Sequence, residues 1–197
     1  MSIGTQRLAG NADWLAPLTL YADSPSTRIV AVAGADGIAI QELLTRLAQR
    51  WMAGGARVAG VVEETSPGLP KSCGGARLRN LRTAAAYEIY QDLGPRSTAC
   101  SLDARGFAEA CQHVVDDIAE CDVVVLSKFG KLEADRGGLL AAFTAAALLE
   151  KPVLTAVSPA FADSYRAFVG PFGGFVPPDE DMLHAWGRLA RAPSMAD

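Results

Sequence analysis

Four segments of the chain have the hydrophobic pattern of strands buried inside a sheet. Their apolar residues, many of them β-branched, follow one another without alternation, which is typical of parallel strands covered on both faces. The clearest segment is 123–126, which leads directly into a charged turn. The pattern predicts further strands at 28–34, 56–62 and 152–157, and a shorter strand within 87–93.

Apolar residues at helical spacing separate these strands. Helices are predicted over 38–53, from an N-cap at Asp103 to about 120, over 136–149, over 179–191 and, as a short turn, near 164–169. Residues 63–82 and the rest of 158–178 are expected to be irregular. The alternation of elements predicts an α/β fold with a mainly parallel sheet of about five strands and helices on both faces.

Composition places the chain among globular proteins of one domain. Its 197 residues are 50% hydrophobic and 20% charged, and the net charge of −4 argues against bulk nucleic-acid binding. No stretch approaches the length of a membrane span, so we expect a cytoplasmic protein without a membrane partner. Residues 28–197 are predicted to form the domain. Residues 1–27, with Trp14 and several leucines, are predicted to form an arm that packs over it or against a second subunit.

The turn after the first strand stands where a P-loop would bind phosphate. A P-loop needs G-x-x-x-x-G-K-[ST], in which main-chain N–H groups cradle the phosphates and the lysine and hydroxyl complete the site. With the first glycine at Gly34, the last three positions are Ala-Ile-Gln at 39–41. Asp36, beside Gly37, would also repel a bound phosphate. The sequence therefore argues against ordinary magnesium-nucleotide binding.

Charged side chains follow the strand at 123–126, at the end where open α/β sheets bind ligands. Ser127 and Lys128 occupy the place of a Walker B acid, and Glu133 and Asp135 lie further along the turn. These two carboxylates could replace the missing acid. Carboxylates in the first turn of a helix more often interact with the helix dipole, and we favour this structural interpretation.

Positive charge is concentrated in one segment. The basic residues of 65–86, a stretch without an acidic residue, are Lys71, Arg77, Arg79 and Arg82. If this segment folds over the strand end, it would join Lys128 and Lys131 around a small anion. A tetrahedral oxyanion such as molybdate, tungstate or phosphate, or a phosphorylated small molecule, would suit that charge. The alternative is a solvated face or a partner surface, and both remain open.

Two of the four cysteines are candidate metal ligands. Cys73 lies in the basic segment, which would lower the pKa of its thiol and raise its reactivity. Together with Cys100, it could bind a soft metal or form a reversible disulfide. Cys111, on the inward stripe of a helix, and Cys121, at the start of a strand, are expected in the core.

Several segments together resemble an uncharacterised bacterial domain family of unknown function. They include GADGIAIQELLTRLA, SCGGARLRNL and, as the most specific element, the turn KFGK-x-E at 128–133. The usual asparagine before that turn is Ser127 here, and Cys73 and Cys100 match family-type positions. The resemblance covers about 28–175. It implies a P-loop-like three-layer sandwich similar to the thermophilic-type nucleoside-triphosphatases, in a family often encoded near molybdenum-transport genes.

These observations favour a non-catalytic binding protein derived from a nucleotide hydrolase. We expect it to be linked to an oxyanion or metal and, through the resemblance, to molybdenum or tungsten. One alternative is a nucleoside-triphosphatase that uses Lys128, Glu133 and Asp135 unconventionally. Another is a homodimeric scaffold that uses the arm and residues 172–175. No cofactor is identified. The candidate ligand-binding residues are Gly34, Asp36, Gly37, Arg77, Arg79, Ser127, Lys128, Lys131 and Glu133, and the candidate metal ligands are Cys73 and Cys100.

Overall fold

A computed structural model describes residues 28–65, 76–91 and 101–191. Its strands are β1 Ile29–Val32, β2 Val58–Thr65, β3 Ala76–Asn80, β4 Ala86–Glu88, β5 Tyr90–Gln91, β6 Ser101–Leu102, β7 Val123–Leu126, β8 Val153–Ala156 and β9 Gly173–Val176. Its α-helices are α1 Gly37–Ala53, α2 Ala104–Ile118, α3 Lys131–Ala134, α4 Leu140–Leu148, α5 Ala162–Val169 and α6 Glu180–Ala190. Short 3₁₀ turns flank α5 at Pro159–Phe161 and Gly170–Phe172.

Seven of the strands form one sheet in the order β4-β3-β2-β7-β8-β1-β9. The neighbouring strands in the part β2-β7-β8-β1-β9 of this order are parallel. The strands β3 and β4 add an antiparallel edge. The remaining strands, β5 and β6, pair only with each other. The predicted α/β sandwich is confirmed, with seven strands in the sheet instead of five.

Helices cover both faces of the sheet and enclose two apolar cores. One core joins α1 and α6 to the sheet, with Leu44, Trp51 and Leu183 among its buried residues. The other joins α2, α4 and α5 to the opposite face, with Phe143 and Tyr165 among its buried residues. The arrangement is a three-layer sandwich, and it places the carboxyl ends of the parallel strands at one edge of the molecule.

Local sequence signals account for several of these elements. In α1, the predicted apolar stripe is buried, and Gly54 caps the carboxyl end. The predicted N-cap of α2 is confirmed, because the Asp103 carboxylate accepts the N–H of Arg105. In β2, Gly60 has φ +130°, and a Cβ there would overlap the carbonyl oxygen of Val125 on β7. Glycine is therefore required for the close approach of these two strands.

Three predictions of local structure were wrong. Residues 63–82 are not one loop, because β2 continues to Thr65 and β3 pairs with it through an alternating pattern of burial. The helix predicted over 136–149 begins later, since Gly138 at φ +59° interrupts the chain between α3 and α4. Residues 158–178 contain β9, which is paired with β1. Its two glycines weaken the sequence pattern of a strand.

Among the described residues, no helix is long and apolar enough to cross a membrane.

Candidate functional site

A pocket of about 520 Å³ opens at the carboxyl ends of β1, β7 and β8, beside the N-terminus of α1. Its wall combines the turn after β1 with charged side chains from two other strand ends. The lining residues are Gly34, Ala35, Asp36, Gly37, Ile40, Gln41, Glu63, Lys128, Ala156, Val157, Ser158 and Pro159. The pocket lies where ligands bind in open α/β sheets. It brings together four of the predicted ligand-binding residues: Gly34, Asp36, Gly37 and Lys128.

The turn after β1 is closed by its own carboxylate. Asp36 is the N-cap of α1, and its Oδ1 accepts the main-chain N–H groups of Ile38 at 2.9 Å and Ala39 at 3.4 Å. These donors belong to the first turn of the helix, which is the part of a P-loop that would contact phosphate. An internal anion therefore occupies two of the donors that a bound anion would need.

Gln41 joins α1 to two strands at the inner wall of the pocket. Its side-chain Nε2 donates to the carbonyl oxygen of Ser127 at 2.6 Å, and its Oε1 accepts the N–H of Glu63 at 2.9 Å. This position corresponds to the hydroxyl residue that holds magnesium in a P-loop. Here both polar atoms of the amide are used to fasten β2 and β7 to the helix.

Among the described residues that line the pocket, Lys128 is the cationic one. Its Nζ lies 2.6 Å from Oε2 of Glu63, and the two side chains are 44% and 20% exposed. Burial of the ammonium group opposes its charged form, but the attraction of Glu63, with smaller contributions from Tyr90 and Glu133, outweighs burial and raises the pKa of Lys128. The lysine is thus charged at neutral pH and already has an anionic partner.

Sequence reasoning missed the roles of Gln41 and Glu63. In the sequence, Gln41 is only a departure from the P-loop pattern, and Glu63 stands at the start of a predicted loop. The available signal was weak, because both interactions depend on β2 lying next to β7, a pairing that no local pattern specifies.

Two predicted site residues lie in the interior, below the turn that follows β7. Ser127 is 1% exposed, and Glu133 is 5% exposed. The Glu133 carboxylate accepts the N–H of Gly130 at 2.9 Å and of Leu139 at 2.8 Å. Both oxygens are therefore engaged in holding the turn and the start of α4 together. Lys131, the first residue of α3, is exposed and does not line the pocket.

The arginines of the basic segment lie on and after β3, away from the pocket lining. On β3, Arg77 and Arg79 both pair with Glu64, at 3.4 Å and 3.0 Å. Arg82 pairs with the buried carboxylate of Asp117 on α2. Within the described ranges, the structure therefore does not bring these arginines together with Lys128, and each has an acidic partner.

The candidate metal ligands Cys73 and Cys100, and also Lys71, lie outside the described residues. In the part of the chain that the structure describes, no group of three or more histidine, cysteine, aspartate or glutamate residues could hold a metal ion. Cys111 and Cys121 are buried, as predicted, and burial is the main reason that the pKa of each thiol is raised.

The chain matches a protein-family model and a curated relative. A family model described as "Protein of unknown function (DUF2478)" matches residues 29–186. "Molybdenum import ATP-binding protein ModC 2" of Bradyrhizobium diazoefficiens is 30% identical over 169 residues. That alignment covers 85% of this chain but 19% of the relative, so the chain spans less than a quarter of the curated relative's length. No solved structure matches.

Proposed function

The chain belongs to the DUF2478 family, and we propose that it is a non-hydrolysing binding protein for a small oxyanion, built on a scaffold related to the P-loop nucleoside-triphosphatases. Asp36 carries this proposal, because its carboxylate satisfies the N–H groups of Ile38 and Ala39 at the N-terminus of α1. A triphosphate would compete with this carboxylate for the same donors and would be repelled by its charge.

The side chains around that helix end support the proposed lack of hydrolysis. A magnesium-nucleotide site needs a lysine on the phosphates and a hydroxyl on the metal, and positions 40 and 41 are Ile and Gln. The Gln41 amide is also committed to the main chain of β2 and β7. After β7, Ser127 and Lys128 provide no carboxylate to hold magnesium or to orient water.

Binding of an oxyanion is assigned to Lys128. Its ammonium group lies in the pocket, is partly exposed and can exchange its carboxylate partner for oxygen atoms of a ligand. The ligand must displace Glu63, because that carboxylate is paired with the ammonium group of Lys128. The ligand must also be small, because the pocket contains the carboxylate of Asp36 as well. Molybdate and its analogue tungstate are the first ligands to test, since the curated relative is named as a molybdenum import ATP-binding protein.

The test is a set of thermal-shift and calorimetric titrations of the metal-free, reduced protein with molybdate, tungstate, phosphate and sulfate, and with Mg-ATP and Mg-GTP. A ligand that binds only the folded state at a hundred times its dissociation constant stabilises it by about 2.7 kcal/mol. We expect stabilisation by an oxyanion, its loss in Lys128→Met and its retention in Lys151→Met, where the lysine donates to the Cys121 carbonyl outside the pocket. Stabilisation by a magnesium nucleotide with phosphate release would replace the proposal with a hydrolase, and no stabilisation by any oxyanion would refute it.

We also propose that Cys73 and Cys100 together bind a soft metal ion. Binding of Zn²⁺ to the reduced protein, measured by calorimetry, should be lost in the Cys73→Ser/Cys100→Ser double variant. It should persist in Cys111→Ser, which changes a buried thiol. Equal zinc binding by all three proteins would exclude the pair as ligands.

A further inference from the structure

An apolar groove lies at the edge of the sheet opposite the pocket. Its volume is about 540 Å³, and it runs between the end of α4 and the turn that connects α5 to β9. Leu148 and Phe172, on its two sides, are 79% and 61% exposed. Phe168 and Val169 contribute further apolar surface. Large apolar side chains that lie together at a groove mark a binding surface more often than scattered ones do.

The outer face of α4 extends this surface. Its sequence, LAAFTAAAL, has no charged residue, although a helix on the outside of a domain normally presents a polar face to solvent. Ala142, Phe143 and Ala146 are buried against the core, and Ala147 and Leu148 are exposed on the other side. Thr144 is the polar residue of α4, and a helix with so little polar surface is normally covered on both sides.

The chain enters the domain at this groove. Arg28, the first described residue, lines the groove together with Leu148 and Phe172, and residues 1–27 precede it in the chain. Positions 14–20 of that segment, WLAPLTL, contain four large apolar residues and no charge. Seven residues lie between Leu20 and Arg28, and the eight residue-to-residue steps of an extended chain span up to about 28 Å, so reach does not limit the contact.

We propose that residues 14–20 of the same chain bind in the groove between α4 and the turn before β9, and cover Leu148 and Phe172. Charge and reach both allow this occupant, and its apolar residues would cover the exposed apolar face of α4. The arm would then act as a covering segment of the domain. A second copy of the chain that occupied the groove in its place would give a dimer, which the test below distinguishes.

Photocrosslinking of the full chain tests the assignment. Phe172→p-benzoylphenylalanine places a photoreactive group of similar shape in the groove, and the same replacement at Leu189, which is 75% exposed on α6, is the control. We expect position 172 to form adducts with 14–20 in protein of monomer mass, and position 189 to form none. Adducts of dimer mass from position 172, or no adduct with the first 27 residues, would overturn the proposal.

Limited digestion with chymotrypsin provides a second measurement, because Trp14 and Tyr21 are cleavage sites in the segment. Leu148→Asp should increase the rate of cleavage within residues 1–27 at least about tenfold, whereas Leu189→Asp should leave it unchanged. Both leucines are largely exposed, so neither change disturbs the core. Equal cleavage rates in the wild type and in Leu148→Asp would count against a covered groove.

Discussion

The side-chain nitrogen of Lys128 lies 2.6 Å from Oε2 of Glu63, at the mouth of the pocket formed by the strand ends. Glu63 belongs to β2, and Lys128 belongs to the turn after the neighbouring strand β7. A bound oxyanion and the Glu63 carboxylate would compete for one ammonium group. The ion pair therefore sets how strongly the pocket can attract an anion.

Replacement of Glu63 by glutamine should strengthen oxyanion binding. Glu63→Gln removes a negative charge within a few ångströms of the ligand and frees Lys128, so we expect the dissociation constant for molybdate to fall by about tenfold. Isothermal titration calorimetry measures this change. Glu64→Gln is the matched control, because it removes an adjacent charge that is paired with Arg77 and Arg79 and lies outside the pocket lining. An equal gain in both variants would mean that Lys128 is not the contact.

Substitutions of Asp36, the N-cap of α1, should distinguish its contribution to helix stability from its effect on anion binding. Asp36→Asn preserves an oxygen acceptor for Ile38 and Ala39 but removes the charge, so the free energy of unfolding should change little while oxyanion affinity rises. Asp36→Ala should lower the free energy of unfolding by about 1 kcal/mol. Urea denaturation and calorimetry measure the two effects.

A matched control for this charge is available at the N-cap of α2. Asp103 accepts the N–H of Arg105 and does not line the pocket. Asp103→Asn should therefore leave oxyanion affinity unchanged. Weaker binding in Asp36→Asn than in the wild type would contradict the repulsion argument.

Glu133 is expected to stabilise the fold and to contribute nothing to catalysis. Its two oxygens accept the N–H groups of Gly130 and Leu139 in the interior. Glutamine has one oxygen, so Glu133→Gln leaves one buried N–H facing an NH₂ group and should cost about 2–3 kcal/mol in the free energy of unfolding. Asp135→Asn, at an exposed position in the same turn, should change it by less than about 0.5 kcal/mol. If urea denaturation gave equal values for the two variants, the buried contacts would not be stabilising.

The sequence predicted the elements whose signals are local. The apolar stripe of α1 and the unbroken runs of β1, β7 and β8 were recognised because burial on both faces of a strand, or on one side of a helix, appears directly in the residue order. In β3, basic residues alternate with apolar ones, so it resembled a charged loop. In β9, glycines lower the strand signal, and only pairing with β1 reveals it.

The candidate site could also be predicted only in part from the sequence. Asp36 and Lys128 follow strands that are evident in the sequence, so their place at the strand ends could be inferred. Gln41 and Glu63 become partners of these ends only through the order of strands in the sheet. The arginines appeared to be available to a ligand, but the antiparallel pairing of β3 with β2 brings Arg77 and Arg79 to Glu64. Contacts between distant segments thus decide which charges remain available.

At the opposite edge of the sheet, the pair of Arg57 and Asp122 should make stability depend on pH. Asp122 accepts the main-chain N–H of Arg57 at 2.8 Å and its guanidinium group at 2.7 Å, where β2 and β7 begin. The hydrogen bond from the guanidinium group is the main reason that the pKa of Asp122 is lowered, and it outweighs the effect of burial. The unfolded chain therefore takes up the proton first as the pH falls. The stabilisation is complete above the pKa of an unfolded aspartate, about 3.9, and is lost as the pH falls through the lower folded-state pKa.

Asp122→Asn should reveal this dependence directly. Because both side chains are partly exposed, the variant should be less stable than the wild type by about 1 kcal/mol or less at neutral pH. As the pH falls from about 4 through the lower folded-state pKa, the wild-type carboxylate takes up its proton and the two proteins should converge in stability. Urea denaturation between neutral pH and about pH 3 measures the difference. A difference that stays constant across this range would show that the charge of Asp122 does not contribute, and that its main-chain hydrogen bond alone fastens the two strands.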